Sequence, residues 1–78
     1  MSLTLRVNGQ SRVFTSLPDS PSLADLVTEL GLKSERVAVE HNGEIAAKSA
    51  WQETPLIDGD RLEIVHFVGG GTNNLLNI

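Results

Sequence analysis

The chain has 78 residues, no cysteine, and ten Asp or Glu against six Lys or Arg, for a formal net charge of −4. That length allows one small domain, which buries roughly 60–65% of its unfolded surface and holds about 4–12 kcal/mol of stability, so a deep enclosed active site is not expected. The missing cysteines exclude disulfides, thiolate metal centres and a thiol nucleophile; the acidic balance lacks the footprint of a nucleic-acid binder; and a hydrophobic content of 40% excludes a disordered chain.

Leu3, Leu5 and Val7 alternate with Thr4 and Arg6, the period of a strand with one buried face. Asn8-Gly9 follows, a dipeptide suited to the positive φ angles of a type I′ hairpin turn. Val13, Phe14 and Thr15 then form a second, antiparallel strand. Leu17 to Pro21 is loop, punctuated by two prolines. Leu23, Leu26, Val27 and Leu30 fall at i, i+3, i+4 and i+7 on one helical face. Ser22 is suited to the N-cap and Asp25 completes an approximate capping box, while Gly31 stands where a left-handed residue ends the helix. At about nine residues this helix is too short to stand alone and must lie on a sheet.

Val37 to Glu40 reads as a third strand and Asn42-Gly43 as a second turn. Glu44 to Lys48 is a short, weak strand, and Ser49 to Glu53 around Trp51 a helical turn with Trp51 at the rim of the core. Ile57-Asp58-Gly59-Asp60 turns the chain into Arg61 to Val68, the strongest strand. This order predicts an α+β fold with one main helix on one face of a mixed sheet of four to five strands. A β-grasp, ubiquitin-like arrangement satisfies it, with the first and last strands adjacent in the middle of the sheet.

Few residues carry chemistry of their own. His41 and His66 lack carboxylates at ligand-like helical spacing and read as solvated or edge-of-sheet histidines. No Gly-x-Ser-x-Gly elbow is present. Asp58 and Asp60 flank Gly59 as turn residues. Gly69-Gly70-Gly71 has no Lys-Ser/Thr after it and is not a phosphate loop. No stretch approaches the ~20 apolar residues of a membrane span. Met1 to Arg6 lacks the basic segment and apolar run of a signal peptide, so the expected address is the cytoplasm.

The end of the chain is more informative. Leu62 and Ile64 should face the core, which puts Val65 and Phe67 on the solvent side with Arg61 and Glu63. An apolar patch there, with Val68, Gly69 and Gly70 beyond it, marks a partner surface. A bulge turning Phe67 inward is the alternative. The glycines remove every Cβ, so this segment can thread a channel too narrow for side chains, or serve as a linker.

Taken together, Val7-Asn8-Gly9, the block Val37 to Ile45, and the block Trp51 to Gly71 resemble the sulfur-carrier family of ubiquitin-like proteins, and within it the ThiS type of thiamine biosynthesis. The molybdopterin-synthase small subunits (the MoaD type) share the fold and the glycines, but their pre-glycine segment is usually richer in proline, and Val65 to Val68 has none. The resemblance implies a protein substrate and not an enzyme. An E1-like adenylyltransferase of ThiF type would activate the C-terminal glycine carboxylate with ATP, no cofactor being bound by the carrier. A donor such as cysteine desulfurase would supply sulfur, and the thiocarboxylate would pass it to a thiazole synthase of ThiG type. Neither nucleic acid nor membrane is an expected partner.

The resemblance divides the chain into a domain at 1–68, a glycine arm at 69–71 and an extension at 72–78 that is flexible or removed. Members of the family usually end at the glycines, and with Gly71 in a peptide bond there is no carboxylate to adenylate. Proteolysis would make Gly71 the attachment residue, with Gly70 as the fallback. Otherwise the extension is foreign to the native chain, or the chain is no carrier. The competing functions are a MoaD-like carrier for molybdopterin or another sulfur-containing metabolite, and a ubiquitin-like module that binds its partner without covalent chemistry.

Overall fold

A computed structural model describes residues 2–68 and 72–75. The strands are β1 (Leu3–Val7), β2 (Gln10–Phe14), β3 (Val37–His41), β4 (Glu44–Ala46), β5 (Arg61–Val68) and β6 (Thr72–Leu75), with one α-helix, α1 (Leu23–Glu29). They form one mixed sheet in the order β2-β1-β5-β3-β4, with β6 pairing β5 off this path. β1 and β5 are parallel neighbours in the centre, as the β-grasp expectation requires.

Local chemistry explains most elements. Asn8 and Gly9 have φ of 49° and 81°, and Asn42 and Gly43 have φ of 52° and 90°. Each Asn-Gly pair therefore supplies the left-handed conformations a tight hairpin needs. The Ser22 hydroxyl accepts from the Asp25 N–H at 3.2 Å, and the Asp25 carboxylate accepts from the Ser22 N–H at 2.8 Å. That reciprocal capping box starts α1 where the sequence places it. The helix runs seven residues and ends before Gly31, whose φ is 74°.

The core is one cluster. Leu23, Leu26 and Val27 of α1 pack with Leu5, Val7, Phe14, Val37, Val39, Leu62 and Ile64 of the sheet. Trp51 lies on a 3₁₀ turn, Lys48–Glu53, and joins this cluster. It is fully in the core and not at its rim: only 3% is exposed, and its indole N–H donates to the Ala46 carbonyl at 2.9 Å. Pairing that one polar atom is what makes complete burial of the ring tolerable.

Several boundaries differ from expectation: β3 runs on to His41, β4 stops at Ala46, and the turn around Trp51 begins at Lys48. β2 begins at Gln10, because the two-residue turn brings Gln10 directly opposite Val7. A 3₁₀ turn at Ser34–Arg36 precedes β3 without a distinct sequence signal. Thr72–Leu75, expected to be flexible or removed, forms β6, antiparallel to β5. Gly69, Gly70 and Gly71 lie outside the described residues.

Candidate functional site

The candidate site is the C-terminal half of β5, and its position is set from the strand's beginning. Asp60, 6% exposed, precedes β5 and accepts from His41 Nε2 at 2.9 Å, Asn42 Nδ2 at 3.0 Å and the Ile57 N–H at 3.0 Å. Burial pushes its carboxyl upward, but the hydrogen bonds from His41, Asn42 and Ile57, with the attraction of His41, outweigh burial and hold it below the usual carboxylate value. Asn42 Oδ1 in turn accepts from the Arg61 N–H at 2.8 Å. The β3–β4 turn and the start of β5 are thus tied into one unit.

On the other side, β1 pairs with β5 only through Arg6↔Arg61 and Val7↔Leu62. The Asn8 N–H then donates to the Leu62 carbonyl at 2.9 Å. The Asn8 side chain continues the ladder: Oδ1 accepts from the Ile64 N–H at 2.7 Å, and Nδ2 donates to the Ile64 carbonyl at 3.3 Å. The sequence reading assigns Asn8 to the turn alone; its second role depends on which strand lies beside it.

Beyond Ile64 the two edges of β5 differ. β3 continues along one, through Ala38↔Val65 and Val37↔His66. β6 takes the other, through Val65↔Leu75, His66↔Asn74, Phe67↔Asn73 and Val68↔Thr72. The β3 register is regular from Leu62 to His66, so strand alternation places Val65 and Phe67 on the face away from α1, with Glu63. Both are half-buried, and the pairing stays regular through Phe67↔Asn73, with no bulge among the described residues. Val68 closes β5; Gly69, Gly70 and Gly71, the remaining predicted site residues, lie outside the described residues.

The same face carries side chains the sequence reading did not single out. Ala38 and Glu40 of β3 and Ile45 of β4 line a shallow groove of about 50 Å³ with Glu63 and Val65. Their alternation was visible in the sequence, but their grouping required the strand order. Among the described residues, no group of three or more His, Asp or Glu side chains is placed to hold a metal ion, and no helix is long and apolar enough to cross a membrane.

Comparison with known proteins places this architecture. The model of the ThiS family matches residues 5–71. The sulfur carrier protein ThiS of Bacillus subtilis is 40% identical over 67 residues, covering 86% of this chain and 98% of the relative. A protein named thiazole synthase from Paramagnetospirillum magneticum is 44% identical over 71 residues, covering 91% of this chain; the chain spans only 21% of that relative's length. The crystal structure of a thiamine biosynthesis protein (ThiS) from Geobacter metallireducens superposes with a TM-score of 0.73 at 34% identity, covering 88% of this chain and all of the other.

Proposed function

The chain belongs to the ThiS family, and from that premise we propose how it carries sulfur in thiamine biosynthesis. The folded body is the handle and the glycine segment is the reactive arm. The observation that carries this reading is the placement of β5. That strand is held on both sides up to Ile64, presents Val65 and Phe67 on its outer face, and runs directly into the glycines. A body anchored in this way delivers a side-chain-free terminus to a partner's pocket at a defined distance.

The chemistry belongs to the partners. A carboxylate is a poor electrophile because its negative charge must be overcome by the nucleophile. An E1-like adenylyltransferase lets the Gly71 carboxylate displace pyrophosphate from ATP, giving an acyl adenylate. A persulfide sulfur, from cysteine desulfurase or an equivalent donor, attacks the carbonyl carbon and expels AMP. A thiol then cleaves the S–S bond of the acyl persulfide, is itself oxidised to a disulfide, and leaves the thiocarboxylate. A thiazole synthase accepts the sulfur; a relative of that name that contains a segment like this chain supports the pairing. The chain itself catalyses no step, binds no cofactor and works in the cytoplasm.

The extension sets a condition. A carboxylate at Gly71 requires hydrolysis of the Gly71–Thr72 peptide bond, with Gly70 as the alternative terminus. Until then β6 also covers the edge of β5 from Val65 to Val68. The test is intact mass spectrometry after incubation with activating enzyme, ATP and a persulfide donor. The chain ending at Gly71 is expected to gain one sulfur-for-oxygen exchange, and the 78-residue form to stay unmodified. Modification of the uncut form would overturn the requirement for hydrolysis. A trimmed chain that stays unmodified, yet binds thiazole synthase as the uncut chain does, would favour a non-covalent ubiquitin-like module.

A further inference from the structure

The face of the sheet opposite α1 brings two like charges together. Glu40 of β3 and Glu63 of β5 stand directly opposite each other in register, and both are exposed. Residues directly opposed on neighbouring antiparallel strands project to the same face, and like charges placed so repel. Arg61 lines a groove with Glu40, Gly43 and Glu63. Even so, neither carboxylate joins an ion pair among the described residues, where the ion pair formed is His41–Asp60.

Apolar surface adjoins this acidic pair. Ile45 is opposite Glu40 across β3 and β4 and is 75% exposed. Ala38 and Val65, opposite each other two pairs further along, are half-buried on the same face. An isolated exposed isoleucine needs no explanation. One that continues into a groove floored by Ala38 and Val65, beside two repelling carboxylates, forms an apolar strip with a charged rim.

We propose that the outer face of β3, β4 and β5 is a docking surface for the thiazole synthase, which sets a guanidinium between Glu40 and Glu63 and an apolar side chain against Ile45, Ala38 and Val65. Arginine fits this slot better than lysine because its planar fork serves two carboxylates at once. Docking relieves the repulsion that the free carrier retains, so complementarity is expressed only in the complex. The chain's net charge of −4 favours the same basic partner surface. Position fits as well: Glu63 lies eight residues before Gly71, so the arm's end is within about 29 Å of this contact by chain length alone. This inference rests on the carrier reading and adds the chemistry of the partner's surface.

The test uses the chain ending at Gly71, its Glu40→Gln/Glu63→Gln double variant, Ile45→Ser, and Glu35→Gln as a control away from the face. Affinity for thiazole synthase is measured by calorimetry at low and high salt, beside thermal midpoints and carrier self-association. The double variant is expected to bind about tenfold or more weakly at low salt, lose most of the salt dependence, and melt no lower than the wild type. Ile45→Ser should weaken binding yet keep the salt dependence, and Glu35→Gln should bind normally. Wild-type affinity in the double variant overturns the proposal. So does self-association abolished by the same substitutions, which would make a second copy the occupant. A wild-type carrier that accepts sulfur but does not bind thiazole synthase overturns this proposal alone; one that does neither overturns the carrier reading with it.

Discussion

The Asn8 side chain occupies the place of a strand residue beside Ile64, accepting from its N–H at 2.7 Å and donating to its carbonyl at 3.3 Å. One residue thus closes the β1–β2 turn and completes the β1–β5 ladder. Ile64 is fully buried, so its backbone groups depend on this amide. Asn8→Ala is expected to cost about 1–3 kcal/mol, from orphaned polar groups and a non-glycine φ of 49°. Asn8→Gly should relieve only the backbone part. Urea unfolding measures the loss, and faster exchange of the Ile64 amide would locate it.

Asp60 predicts a particular acid response. Its folded pKa is below the unfolded value, so its contribution is present above the unfolded pKa and is lost as pH falls through the folded one. This group should therefore add no slope between about pH 5 and 7 and should contribute a decline below about pH 4. Asp60→Asn is expected to flatten that part of the decline while lowering stability at neutral pH. Asp60→Ala should cost about 1–3 kcal/mol by leaving the His41, Asn42 and Ile57 donors without their shared acceptor. Denaturant midpoints across the pH range check both.

Trp51 bears on the size of the core. Replacing it with alanine is expected to cost about 3–5 kcal/mol, a large share of the stability of so small a domain. Trp51→Phe retains most of the apolar area but leaves the Ala46 carbonyl without its indole donor, so a loss of about 1–2 kcal/mol should result. Circular dichroism follows these variants, since the sole tryptophan reporter is gone.

Trimming at Gly71 should be visible at β5. With β6 absent, the backbone groups of His66 and Val68, which point to that edge as those of Leu62 and Ile64 do, lose their partners there. Their amides are expected to exchange faster in the trimmed chain, while Leu62 and Ile64, held by β1, Asn8 and β3, keep their protection. Equal exchange in both forms would show that β6 does not protect this edge in solution.

Much of this protein could be read one residue at a time. Alternation in Leu3–Val7 and Arg61–Val68, the two Asn-Gly turns, and the Ser22/Asp25 box each act over a few residues, so those elements are legible from local sequence and, with the glycines, so is the family to which the chain belongs. Other features needed residues far apart in the chain to meet. The second role of Asn8 exists only because β5 lies beside β1. Full burial of Trp51 requires the Ala46 carbonyl, and the opposition of Glu40 and Glu63 follows from the β3–β5 register. Strand order and register arise from packing the whole apolar set against α1, and no local window of sequence contains that sum.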